Sequence, residues 1–300
     1  MIENNLKNLG QSINLIRSKL NISQQELAQG ICSQSEISKI ENGSISPYIH
    51  TLIKISKKLG INTNYFLNQV YKDQYEFIVH SRNLIRESIK KKDYKEVNKL
   101  VRLYEKNPRF QDIEEQQFIT WHKGIVTYYL KEDFENSVQI LKKSISMKES
   151  FQYTEQDIEI LNSLAIIYCE QKKWSEGKKN FEKAIEIYKQ NMFITNSSIY
   201  VRLCYNLSKL LYNLKEYRQG VSMCDKGIEI CQQKDSNYLF GELLYQKGIL
   251  LMEIDKREDG IEYLKNACII FKLLKKHDYF HSVKEEINTL KSENKMFSTS

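Results

Sequence analysis

The strongest constraint on this chain is a spacing. Small or aliphatic residues stand at Val97, Ser137, Gly177, Gly220 and Gly260, separated by 40, 40, 43 and 40 positions. Three before each anchor comes Tyr94, Phe134, Trp174, Tyr217 and then Arg257, and four after comes Val101, Leu141, Phe181, Cys224 and Leu264. Nine before stand Ser88, Tyr128, Tyr168, Leu211 and Leu251, and twelve before stand Ile85, Ile125, Ala165, Ser208 and Gly248. Agreement at so many offsets marks a repeated unit of two helices around a tight polar turn, such as Lys-Lys-Asp-Tyr at 91–94. Small residues at the anchor and twelve before it let the paired helices approach, and bulky ones fill the space between hairpins. One such unit cannot bury both its faces, so the units stack into a solenoid.

Composition agrees. With only 2 Pro and 11 Gly in 300 residues, few positions interrupt a helix, and an all-α chain of about two domains is expected. The net charge is +7, and residues 1–70 carry six Lys and one Arg against four Glu, an excess that mildly favours a polyanionic partner. Six cysteines, 32, 169, 204, 224, 231 and 268, form no Cys-x-x-Cys pair and fall mostly in apolar helical stretches. Buried, reduced thiols in a cytoplasmic protein are therefore expected. The start MIENNLKNLG lacks a basic segment followed by an apolar run, and no apolar stretch approaches about 20 residues, so neither a signal peptide nor a membrane span is expected.

Ahead of the repeats lies a different signal. Ser23 precedes Gln24-Gln25-Glu26, and Ser33 precedes Gln34-Ser35-Glu36. Each reads as a capping box, with the serine accepting from a first-turn N–H and the glutamate reaching back to the serine N–H. Gln29-Gly30-Ile31-Cys32 makes the joint between them. Two short helices so joined form a helix-turn-helix, whose second helix enters the major groove. Leu27, Ala28, Ile31, Ile37 and Ile40 face inward. Gln34, Ser35, Ser38 and Lys39 occupy the opposite face with the side chains that base edges require: Gln pairs with adenine and Lys reaches guanine.

Over residues 6–67 the chain resembles lambda-repressor-like (XRE) DNA-binding domains. The resemblance is carried by Arg17, Ser23-Gln24, Leu27-Ala28, Ser35, Ile37-Ser38, Ile40-Glu41-Asn42-Gly43, Pro47, Leu52 and Leu59. It implies that Gln24, Gln34, Ser35 and Lys39 contact DNA, with Ser38 as a further candidate. The later units, clearest in Leu164-Ala165, Tyr168, Gly177, Phe181 and Ala184, resemble tetratricopeptide repeats and imply a right-handed α-solenoid. Their period near 40 and missing terminal prolines depart from that pattern. The boundaries expected are a helix-turn-helix domain at 1–67, a linker helix at 68–75, about five helical hairpins at 76–291 and a frayed tail at 292–300.

Helix-turn-helix plus divergent repeats is similar in layout to the RRNPP group of peptide-responsive regulators, its PlcR-type activators above all. Residues 31–41, 91–96, Asn162 with Ala165 and Tyr168, Tyr205-Asn206 and 245–248 carry that likeness. The resemblance implies a homodimer that binds a palindromic DNA operator, and a concave groove that binds a short re-imported signalling peptide. Activation rather than repression is implied. An extended peptide brings unpaired N–H and C=O groups, which an Asn side chain can match as both donor and acceptor. Asn162 and Asn206 match peptide-binding positions of the group, Gln246 holds the corresponding place in the fifth unit, and Lys92 is a candidate partner for a carboxylate.

No nucleotide-binding glycine loop, metalloprotease or serine-hydrolase motif occurs, so no enzyme, cofactor or metal site is expected. His277 and His281 lack a third ligand. Two alternatives share these features: a protein-interaction scaffold, and a mobile-element repressor controlled by a protein antagonist.

Overall fold

The computed structural model describes residues 2–70, 72–148 and 152–297. Among them are sixteen α-helices and one 3-10 helix, with no strand. Two compact units divide at 111/112.

The first unit contains α1 (Ile2–Lys19), α2 (Gln24–Ala28), α3 (Gln34–Glu41), α4 (Ile49–Leu59), α5 (Thr63–Val70), α6 (Lys72–Lys90), α7 (Tyr94–Glu105) and the 3-10 turn Pro108–Phe110. Leu9, Ile13, Leu27, Ile37, Ile40, Leu52, Ile55 and Phe66 close the core of its first five helices. The α2 start is a full capping box between Ser23 and Glu26. The α3 start keeps only the serine half: Ser33 accepts from the Glu36 N–H at 3.1 Å, and no bond returns from the Glu36 carboxylate to the Ser33 N–H. The joint read at 68–75 falls on the end of α5 and the start of α6, and its residue 71 and the side chains of 70–75 lie outside the described residues. The compact unit runs on past that joint because aromatic rings tie its last elements together. Phe77 meets Tyr104 and Phe110 edge-on, and Tyr104 stacks on Phe110.

The second unit contains α8 (Ile113–Tyr129), α9 (Phe134–Ile145), α10 (Glu155–Glu170), α11 (Trp174–Gln190), α12 (Ser197–Asn213), α13 (Tyr217–Gln233), α14 (Phe240–Met252), α15 (Arg257–Leu273) and α16 (His277–Phe297). The tail expected from 292 thus begins as helix, and 298–300 lie outside the described residues. Paired helices approach where the anchor meets the residue twelve before it. A Cβ at Gly248 would fall 2.9 Å from the Gly260 carbonyl oxygen, and one at Gly260 2.8 Å from that of Gly248. Only hydrogen at both positions permits this contact.

The hairpin turns share one backbone device. Five residues before each anchor, Lys92, Glu132, Lys172, Lys215 and Asp255 adopt the left-handed conformation, with φ between 57° and 62°. In four of the five the turn closes as a Schellman motif; at one of these, Lys172 N–H bonds Cys169 O and Lys173 N–H bonds Tyr168 O, both at 2.9 Å. No glycine marks these turns, so their left-handed conformation is not readable from residue type, although their polar character is.

First helices of successive hairpins pack directly on one another, α8 on α10, α10 on α12 and α12 on α14. Second helices stand apart: between α11 and α13 lies a groove of about 580 Å³ floored by Leu207 and Leu211 of α12. Close first helices and separated second helices make the array curve, with the first helices on its inner side.

Candidate nucleic-acid interface and ligand groove

The exposed polar face of α3 is held from behind. Glu41 ends α3, and its side chain is 2 % exposed. A carboxylate at a helix C-terminus meets the negative end of the helix dipole, so it needs compensation. Arg17 of α1 supplies it twice, Nε to Oε1 at 2.6 Å and Nη2 to Oε2 at 2.9 Å. Asn14 and Gln24 each donate to Oε2 at 2.8 Å. Arg17 Nη1 also donates to the Ile22 carbonyl at 2.7 Å, fixing the approach to α2. Burial pushes the Glu41 carboxyl up, but the bonds from Arg17, Gln24 and Asn14 outweigh it and hold the group below the usual carboxylate range.

The network continues to the outer surface. Gln34 Nε2 donates to Gln24 Oε1 at 2.7 Å. Gln24, half-buried, therefore bridges the Glu41 anchor to Gln34 at the exposed start of α3. Gln34, Ser35 and Lys39 are exposed and Ser38 is half-buried, so these four share one open side of α3, while Ile37 and Ile40 are buried opposite. Of the five DNA-contact candidates, Gln24 thus has a positioning role in addition to whatever it touches. Gln34 keeps its amide oxygen and one N–H for a base edge.

In the second unit the non-buried side of each inner helix forms a stripe. On α12 it holds Arg202, Asn206, Lys209 and Asn213, at intervals of four, three and four. Asn206 Nδ2 donates to Asn162 Oδ1 at 2.8 Å, so two of the candidate ligand residues meet across α12 and α10. Asn162 is 6 % exposed and Gln246 of α14 is 8 % exposed. Lys92 belongs to the first unit; it is exposed and occupies the left-handed turn position before α7.

Sequence reading missed a charged row one turn further along. Eighteen residues before successive anchors stand Glu159, Arg202 and Glu242, charges at a fixed offset in the repeat, and that regularity was a readable signal. Arg202 pairs with Glu159 at 3.2 Å and donates through Nε to the Tyr238 hydroxyl at 2.9 Å. Glu242 pairs with Lys276 at 2.6 Å. Tyrosines surround these pairs. Burial, aided by the nearby Glu242 and Tyr279, pushes the Tyr205 hydroxyl up to about 12, and burial with Glu286 does the same for Tyr245.

Among the described residues, no helix is long and apolar enough to cross a membrane, and no group of three or more His, Cys, Asp or Glu is placed to hold a metal ion.

Residues 82–290 match the model of the RNPP family C-terminal domain, and residues 10–72 match a helix-turn-helix domain. A search of curated proteins by sequence returned no match. The fold is similar to Bacillus thuringiensis PlcR in complex with the peptide PapR7 and DNA, at 29 % identity over 92 % of this chain and 99 % of that one, TM-score 0.78. It is similar to the apo form of the same protein at 26 % identity over 94 % and 99 %, TM-score 0.66. ComR from S. thermophilus, in complex with DNA and its signalling peptide ComS, shares the fold at 16 % identity over 94 % and 99 %, TM-score 0.63. With a helix-turn-helix at its start and a family domain covering more than half its length, the chain belongs to the RNPP family.

Proposed function

We propose that this protein is a cytoplasmic, homodimeric transcription regulator. Its helix-turn-helix domain, residues 1–67, reads a palindromic operator, and a short signalling peptide bound along the inner face of the repeats at 76–291 gates that reading. The observation that carries the proposal is the rigidly backed, open face of α3. Arg17 and Gln24 hold Glu41 at one end, and Gln34, Ser35 and Lys39 are left exposed along the other side. An ordinary solvated helix face needs no such backing.

Gln34 and Lys39 supply base-edge pairing, with Ser35 and Ser38 as short donors between them. One such module reads only a few base pairs, so a dimer on two half-sites provides useful specificity. The inner face suits an extended ligand. Neighbouring helices pack about 8–10 Å apart and an extended chain rises about 3.3 Å per residue, so the row Asn162, Asn206, Gln246 spans about five or six peptide residues. The peptide shifts the dimer between arrangements by binding them with different affinity, and an activating outcome follows if the tighter-bound arrangement is the DNA-competent one.

Fluorescence anisotropy with a palindromic duplex drawn from the DNA flanking the protein's own coding sequence tests this. Affinity should fall steeply with salt, as phosphate neutralisation releases counterions. It should also change on adding a short peptide encoded in the adjacent reading frames. Salt-insensitive binding, or indifference to every such peptide, would overturn the DNA or the peptide half respectively.

A further inference from the structure

We infer that Lys209 reads a carboxylate on the ligand, so that the groove selects an acidic peptide. This rests on the peptide-binding reading above and deepens it.

The argument starts from which charges on the inner face are already committed. In the row eighteen before the anchors, Glu159 holds Arg202, and Glu242 holds Lys276. Arg202 is occupied on a second side by the Tyr238 hydroxyl. At the far edge of the stripe, Glu170 accepts from the Tyr129 hydroxyl at 2.7 Å and Glu253 from the Tyr212 hydroxyl at 3.1 Å. Lys247 is turned away from this accounting, paired with Asp225 of α13 and bonded to Tyr263 of α15.

Lys209 differs from all of these. It lies in the middle of the stripe, three residues after Asn206, and it is exposed. Its neighbours at the same offset on α10 and α14 are Ile166 and Ile249, both partly buried and neither able to pair with it. Among the described residues its ammonium has a ring contact with Tyr205, 5.5 Å to the centroid, and no ion pair. Exposed, near an aromatic ring and flanked at this offset by aliphatic residues, the ammonium is not neutralised by a neighbouring carboxylate and stays open to an incoming anion.

Position decides what that anion belongs to. Asn206 spends one N–H on Asn162, leaving its carbonyl oxygen and second N–H for a peptide backbone. Lys209 is one helical turn from Asn206, about 5 Å along the axis. An Asp or Glu on the ligand residue held at Asn206, or on its neighbour, reaches the ammonium. A Lys or Arg there would meet like charge. Lys92, the other candidate for a carboxylate, sits at a backbone turn of the first unit rather than on this stripe.

The test uses the full-length protein immobilised and exposed to two synthetic heptapeptide pools of matched hydrophobicity. One pool carries a single Asp or Glu at each position in turn, and the other carries Asn or Gln in its place. Retained peptides are identified by mass spectrometry, and the best acidic sequence is titrated by calorimetry. Wild type should retain acidic peptides, with the carboxylate at one fixed position, at least about tenfold better than their amide partners. Lys209→Glu should lose that preference and regain affinity for the same peptide with Lys at the fixed position. Retention of peptides without an acidic preference overturns the role of Lys209 alone, as does an unchanged preference in Lys209→Glu. Retention of no peptide from either pool overturns the peptide reading itself and this inference with it.

Discussion

Asn206 donates its side-chain amide to the Asn162 side-chain oxygen at 2.8 Å, joining two inner helices through the two asparagines proposed to hold the peptide. The bond orients both amides, so neither must be ordered at the moment of ligand binding. It also makes the two residues interdependent. Asn206→Ala should strip the nearly buried Asn162 oxygen of its partner and cost about 1–3 kcal/mol, whereas the double Ala variant should cost less than the sum of the single changes. Chemical denaturation of the four proteins of that cycle measures the coupling. In calorimetry the double variant should lose the response to peptide, with DNA affinity measured in the absence of peptide as the reference.

The Arg17–Glu41 pair should dominate the stability of the DNA-reading domain. Both side chains are mostly buried, and removing one leaves a buried charge, so Arg17→Met should destabilise by about 3–5 kcal/mol.

The same pair predicts a pH dependence. The folded Glu41 carboxyl lies below its unfolded value, so its contribution is complete above an unfolded pKa of about 4.3 and is lost as pH falls through the lower folded value. Thermal melts from pH 7 to pH 3 should show an acid-sensitive transition that is weakened in Glu41→Gln. An identical acid profile in that variant would remove Glu41 as its source.

At the DNA surface, Gln34→Ala and Lys39→Ala should each weaken operator binding by about 1–3 kcal/mol, with less effect on nonspecific duplex. Gln24→Ala should act partly through Gln34, because it deletes the acceptor that orients it. The loss in a Gln24→Ala, Gln34→Ala double variant should therefore fall short of the sum when both are titrated on the same duplex.

The left-handed turn residues carry strain that glycine lacks. Lys172→Gly and Lys215→Gly should each raise stability, by up to about 1 kcal/mol in urea denaturation. Lys92→Gly makes the same gain while deleting the ammonium. Peptide affinity unchanged in that variant would assign Lys92 to the turn rather than to the ligand.

All six cysteines are free thiols, and burial pushes Cys204 and Cys224 up to about 12. A group so shifted is almost wholly protonated near neutral pH, where only the thiolate attacks an alkylating reagent. Iodoacetamide at pH 8 should leave these two unmodified in the folded protein and label them after denaturation, as read by peptide mass spectrometry.

Residue pattern alone carried the helical class, the repeat and the exposed polar face of α3, because these depend on local quantities. Periodicity decides which side of a helix is buried, as with Ile37 and Ile40 against Gln34 and Lys39. Small residues at a fixed offset decide which helices meet, as with Gly248 and Gly260. Serine before a glutamate marked the α2 start correctly, yet the similar string at Ser33 made only half the box, since a side chain's partner is not set by spacing alone. Tertiary packing decided the rest. That Gln24 serves Glu41 and Gln34 follows from bringing α1, α2 and α3 together, and the bond joins residues 17 apart in the chain. That Arg202 is spent on Glu159 and Tyr238 while Lys209 stands unpaired depends on which helices lie side by side. In the sequence both are simply basic residues on one helix face. Charge pairing is a property of distances between elements, and only the folded chain sets those distances.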